Sequence, residues 1–159
     1  MAGRPSPANN VRMQTPTTTS SWRDTAESFY DTGYTPIMKT VAVVGASRDR
    51  DKYGNKAVRG FMHSGYTVVP VNPHDKEIEG LQAYRSVLDI PFDVDVATFY
   101  VPPAIGEGLV AEVVEKRIPE LWLNPGADGP GVLQKARELG LEPTVGCSLI
   151  AIGESPSRY

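Results

Sequence analysis

One cysteine and two histidines in 159 residues remove several functional classes at once. Cys147 has no second cysteine, so no internal disulfide can staple the chain. With His63 and His74 as the only histidines, the usual Cys/His zinc site cannot be assembled. Nor is there an excess of basic side chains: 16 Lys and Arg stand against 19 Asp and Glu, a formal net charge of −3 that offers no global attraction to nucleic acid. No stretch approaches the roughly 18 apolar residues of a membrane-spanning helix. Met1 to Ser21, dominated by Pro, Thr, Ser and Asn, lacks the apolar core of a secretory signal. The expectation is a reducing, cytoplasmic setting with neither nucleic acid nor membrane as partner.

The same poverty of apolar side chains predicts a disordered tail over residues 1–20, because too little surface is buried to offset the entropy of ordering. A helical segment over 21–38 follows, with Ser21 as its cap and Gly33 and Pro36 as its end. Its aromatic residues Trp22, Phe29, Tyr30 and Tyr34 suit either a flap over the domain or a dimer contact.

What the chain does have begins at Lys39. Val41-Ala42-Val43-Val44 is a short, wholly apolar run that breaks at Gly45, the signature of a strand buried on both faces of a parallel sheet. Beyond a polar loop, Ala57, Val58, Phe61 and Met62 recur at helical spacing. The pattern then alternates: strand 39–45, helix 55–64, strand 66–71, strand 94–101, helix 104–116, strand 120–124, helix 130–139 and strand 142–146. Residues 79–84 read as an extended excursion and 86–89 as one helical turn. Alternation of this kind predicts an α/β fold, a Rossmann-like doubly wound parallel sheet of about five strands in three layers, α/β/α. That domain spans 39–153 and leaves 154–159 as a C-terminal tail.

In an open parallel sheet, ligands bind beyond the carboxyl ends of the strands, so those ends are the candidate site. They are Gly45-Ala46-Ser47, Val71-Asn72-Pro73, Val101-Pro102-Pro103, Asn124-Pro125-Gly126 and Gly146-Cys147-Ser148. Any one of them is explained by tight turns; five on one rim favour a binding edge. A strand-to-helix turn is also where backbone N–H groups and the helix dipole meet phosphate. The loop Arg48 to Asn55 carries three cations, of which Arg48 and Arg50, alternating with Asp49 and Asp51, read as a solvated charge run. Lys52, beside Tyr53 and Gly54, is the better phosphate candidate, and Asn55 is placed to cap the helix.

The dinucleotide fingerprint asks for a second glycine at position 47 and an acidic residue ending the second strand. The chain has Ser47 and Asn72 instead. His63 and His74 read as structural or surface residues. Cys147 reads either as a small buried hydrophobe or as a thiol at the binding rim, and Trp122 as core.

Four pieces, Val41 to Ser47, Gly65 to Pro73, Asp93 to Val96 and Leu121 to Gly126, together resemble the CoA-binding domain family. These are small Rossmann-like proteins related to the N-terminal domain of the succinyl-CoA synthetase alpha subunit. The resemblance covers about Thr40 to Gly153 and implies CoA or acyl-CoA as ligand. It implies that Gly45, Ala46, Ser47 and the helix near Asn55 hold the phosphates with Lys52 close by. Val71, Asn72 and Pro73 would line the adenosine side, with Lys76 matching the neighbourhood of a lysine in the synthetases. Val101 and Pro102 would pack against the nucleotide and the start of the pantetheine arm. Asn124-Pro125-Gly126 departs from the Trp-x-Gln-Gly pattern of many relatives.

Three functions stay open. The first is a CoA-binding module with no catalytic constellation of its own, alone, as a homo-oligomer or beside a larger acyl-CoA enzyme. The second is a nucleotide-dependent enzyme, either an NAD(P)-dependent oxidoreductase or a subunit of an acyl-CoA ligase or transferase. The third is an interaction protein with a vestigial site.

Overall fold

The computed structural model describes residues 38–159; the expected tail over 1–20 and the helical segment, up to residue 37, lie outside the described residues. From Thr40 the chain builds five parallel strands, β1 (Thr40–Val44), β2 (Thr67–Val71), β5 (Val96–Phe99), β6 (Glu120–Leu123) and β7 (Thr144–Val145). They lie side by side in the order β2-β1-β5-β6-β7. A small antiparallel pair, β3 (Glu77–Ile78) and β4 (Leu81–Gln82), forms the excursion after β2. The connecting helices are α1 (Tyr53–His63), α2 (Pro103–Glu115), α3 (Pro130–Glu138) and the short α4 (Ser148–Ala151). Single 3₁₀ turns occupy Val87–Asp89 and Pro156–Arg158. The doubly wound, three-layer α/β/α arrangement is the one the sequence predicts.

Alternation along the strands explains the layering. Successive side chains point to opposite faces, and the buried residues divide accordingly. Val41, Val43, Val68 and Val96 face a cluster with Ala57, Val58 and Phe61 of α1 and with Leu149 of α4. Ala42, Val44, Val69, Val71, Ala97, Phe99, Leu121 and Leu123 face the other way, onto Val110, Val113, Val132 and Ala136 of α2 and α3. Pro70 stands inside β2, a place closed to proline in a central strand because it cannot donate to the ladder. β2 is the sheet edge, and outside it Tyr84 makes an isolated bridge to Val71 and donates its N–H to the Pro70 carbonyl at 3.0 Å.

Several boundaries differ from the expectation. The helix expected from Asn55 begins two residues earlier, at Tyr53, because Lys52, with an extended backbone, is the residue that precedes it. The strand expected over 142–146 narrows to Thr144–Val145. Residues 154–159, the expected C-terminal tail, lie against α1: the Glu154 side chain, only 8% exposed, accepts hydrogen bonds from Ser64 Oγ at 2.8 Å, Tyr159 Oη at 2.8 Å and His63 Nδ1 at 3.0 Å. Burial alone would raise this carboxyl, but the hydrogen bonds from His63, Tyr159 and Ser64 outweigh it and hold the pKa at about 2. The Arg59 guanidinium lies 5.8 Å over the Tyr159 ring.

Candidate functional site

The sheet reverses its winding between β1 and β5, which places a crevice above the carboxyl ends of these neighbours. Two glycines make the crevice possible. Gly45 has φ +90°, and a Cβ there would lie 2.8 Å from the Tyr100 carbonyl and 2.9 Å from Val101 Cγ1. Gly54, in the first turn of α1, faces Gly45 directly; a Cβ on it would overlap the Gly45 carbonyl oxygen and stand 3.0 Å from the carbonyl carbon. The start of α1 therefore sits flush on the end of β1. The N–H groups of Tyr53 and Gly54, in the first helical turn, have no carbonyl one turn back to bond. They add the positive end of the helix dipole to this spot.

Two cavities flank the ridge formed by Gly45 and Val101. The first, about 390 Å³, is an apolar slot between the sheet and α2, walled by Val44, Val71, Pro73, Val87, Phe99, Ile105, Leu109 and Val113, with Arg85, Ser86 and Glu112 as its polar members. The second, about 520 Å³, is more open and lies over the N-terminus of α1. Its lining includes Asp51, Lys52, Tyr53, Gly54, Tyr100, Pro102, Pro125, Gly126 and Ala127.

Of the residues singled out in the sequence, Gly45, Val71, Pro73 and Val101 line the first cavity, and Gly45, Lys52, Val101 and Pro102 line the second. Ala46, Ser47, Asn55, Asn72 and Lys76 line neither, and most of them brace the loops instead. Asn55 is not a helix cap: it is wholly buried within the first turn, donating to the Ser47 carbonyl at 2.8 Å and to Glu79 Oε1 at 3.0 Å while accepting from Arg59 Nε at 2.7 Å. Asn72 is similarly spent. Its amide donates to the Ala46 carbonyl at 2.8 Å, and its oxygen accepts from the backbone N–H of His74 and Asp75 at 2.7 and 2.9 Å. Ser47 Oγ accepts from the Asp49 N–H at 3.1 Å, Ala46 is buried, and Lys76 is exposed with its carbonyl bonded to Ala83. Cys147 is half-buried against the α1-side core and lines neither cavity. Trp122 is also half-buried there, its indole donating to Glu120 Oε1 at 2.8 Å.

Beneath the second cavity lies a polar cluster that sequence reading missed. Asn124 is 1% exposed and Thr98 and Ser148 are as deeply buried. The Asn124 amide donates to Thr98 Oγ1 at 2.7 Å and to the Phe99 carbonyl at 2.9 Å, and its oxygen accepts from the Ser148 N–H at 2.8 Å and from Ser148 Oγ at 3.0 Å. Tyr100 Oη lies 3.0 Å from Ser148 Oγ. Burial pushes this phenol up to about 12, partly offset by its hydrogen bond to Ser148, so it stays neutral. Every polar atom of the cluster is used, and it locks the ends of β5 and β6 to α4. The only sequence signal was a polar residue at each strand end, which turn chemistry explains equally well. Arg85, Ser86 and Glu112 were missed too, since they become neighbours only when α2 packs against the 3₁₀ turn.

Among the described residues, no three His, Cys, Asp or Glu side chains are grouped to hold a metal ion. No helix of the described residues is long and apolar enough to cross a membrane.

The geometry can be set beside known proteins. Residues 39–153 match the model of a family described as CoA binding domain. An ADP-forming acetate–CoA ligase II of Archaeoglobus fulgidus is 42% identical over 82 residues, half of this chain and 12% of that protein. The chain thus spans about one-eighth of this curated relative. Protein YneT of Bacillus subtilis is 28% identical over 102 residues, 64% of this chain and 76% of YneT. Among solved structures, a conserved hypothetical protein of Pyrococcus furiosus superposes with a TM-score of 0.66 at 39% identity, over 72% of this chain and 98% of that one. A match of that extent, over the whole sheet and the crevice above it, settles the relationship: the chain belongs to the CoA-binding domain family and is related to the ADP-forming acetate–CoA ligases.

Proposed function

We propose that the chain binds CoA or an acyl-CoA across the two cavities and contributes binding, not bond chemistry. The observation that carries this reading is the pairing of an apolar slot with an open cavity that lies over the α1 N-terminus and has Lys52 in its lining, the two sharing Gly45 and Val101. CoA has matching parts: a flat base for the slot, a diphosphate for the α1 N-terminus and Lys52, and a flexible arm to run past Pro102 and Pro125. Neither His nor Cys lines either cavity. A nicotinamide dinucleotide is the weaker fit, because residue 72 supplies an amide already engaged by loop backbone where a ribose diol asks for a carboxylate.

The ligase relatives support a second role for the same site, in which the chain supplies the CoA-binding part of a larger acyl-CoA enzyme. Calorimetric titration of CoA and of NAD into the full chain tests the first reading. CoA should bind at least tenfold tighter; NAD binding as tightly or more tightly would overturn it. A search by affinity capture for a ligase-like subunit tests the second.

A further inference from the structure

The apolar slot contains one cation, Arg85, and its situation is unlike that of most arginines described. Arg50 pairs with Glu79, Arg137 with Glu142 and Arg158 with Glu154, while Arg59 bonds Asn55. Arg85 has no such partner, yet the backbone that carries it is pinned on both sides. Before it, Tyr84 donates its N–H to the Pro70 carbonyl at 3.0 Å and accepts from the Asn72 N–H at 2.9 Å, adding itself to the edge of β2. After it, Ser86 Oγ donates to Glu112 Oε1 on α2 at 2.8 Å and accepts from the Leu88 N–H at 3.0 Å. A guanidinium without a counter-ion, presented to an apolar slot by a fixed backbone, is an arrangement suited to an anionic group on whatever fills the slot. The neighbouring carboxylate of Glu112 is held by Ser86 and serves as the anchor of this segment.

Resting on the CoA reading above, we propose that Arg85 is a specificity-determining residue that recognises the phosphate on the ribose of the nucleotide. With the base in the slot, the ribose stands at its mouth. The 3′-phosphate is the one anionic group that distinguishes CoA from dephospho-CoA, whereas the diphosphate common to both belongs to Lys52 and the α1 N-terminus. Arg85 therefore selects ligands that carry a ribose phosphate over those that lack it.

Calorimetric titration of CoA and dephospho-CoA into the full chain, its R85Q variant and its K52Q variant tests this. The wild type should prefer CoA by about tenfold or more, the range of one charge-assisted hydrogen bond. R85Q should bind CoA only as tightly as dephospho-CoA, with dephospho-CoA affinity unchanged, while K52Q should weaken both ligands together. A wild type that does not distinguish the two, or an R85Q variant that keeps the preference or weakens both ligands equally, overturns the assignment and leaves CoA binding intact. Absence of binding by either ligand to the wild type overturns the CoA reading itself and this inference with it. Arg85 is exposed, and an unchanged R85Q melting curve will show that the variant folds.

Discussion

Replacing Gly54 by alanine isolates the contact on which the crevice depends. The added methyl overlaps the Gly45 carbonyl oxygen and stands 3.0 Å from its carbon and 3.3 Å from the Ala46 Cα. These are backbone atoms, so no rotamer change relieves the clash. Gly45 is itself tied to β2 by its N–H bond to the Val71 carbonyl at 3.1 Å, so the start of α1 must move away. Overpacking of this kind costs about 1–3 kcal/mol, against a gain of about 0.5–1 kcal/mol for alanine over glycine in a helix. A net loss of roughly 1–2 kcal/mol should lower the melting temperature by about 3–8 °C at this chain length. Gly108, exposed in the middle of α2 with nothing within 4 Å of its prospective Cβ, is the control. There the same change should raise the melting temperature by about 2–4 °C. Thermal melts followed by circular dichroism, with calorimetry for CoA, read both effects, and Gly54→Ala should also lose affinity as the Tyr53 and Gly54 N–H groups shift. Equal shifts of the same sign in the two variants, or an unaltered Gly54→Ala protein, would refute the close-approach argument.

Other changes test the polar framework. Asn124→Ala strips the buried Ser148 N–H of its partner, while Thr98 Oγ1 keeps Ser148 Oγ at 2.9 Å, and should cost about 1–3 kcal/mol in urea denaturation, the range for one stranded group; a loss under about 0.5 kcal/mol would mean that water substitutes for the amide. Asn72→Asp turns a carboxylate toward the Ala46 carbonyl in place of the amide donor, and should lower both the melting temperature and, by about tenfold, CoA affinity; a melt and a titration identical to wild type would contradict this. Glu154 has a depressed folded-state pKa of about 2 against an ordinary 4.5, so its stabilising contribution is complete above about pH 4.5 and disappears as pH falls toward 2. Melts against pH should show Glu154→Gln least stable relative to wild type near neutrality, the gap closing in acid; a gap independent of pH would remove the carboxylate from the account.

The architecture was legible because a parallel sheet writes its strands as apolar runs with abrupt ends. Val41 to Val44 could bury both faces only with helices on each side, and Gly45 marked the turn. Element boundaries were less legible, since Lys52 lacks the side-chain oxygen that signals a helix start and Asn55, which has one, is consumed within the turn. The rim was visible as a set of turn-formers, but the bonds its side chains make within the loops were not: Asn72 bonds the Ala46 carbonyl and the His74 and Asp75 N–H groups, and Ser47 Oγ accepts from the Asp49 N–H. Arg85 and Glu112 were hidden for a different reason. Twenty-seven positions apart in sequence, they share a cavity only because α2 returns across the sheet to meet the turn that follows the β3–β4 hairpin.

The ridge of Gly45 and Val101 gives the crevice two compartments rather than one. A molecule that fills both must bend over a saddle formed by a bare glycine backbone and one valine side chain. Each half is then a separable epitope: a small planar compound for the slot and a small anion or polar chain for the open side need not compete. A tether that crosses the saddle without strain would turn the second encounter into an intramolecular one, so the joined molecule would gain from effective concentration with no new contact. The length of that tether, varied one methylene at a time, would measure the height of the saddle in solution.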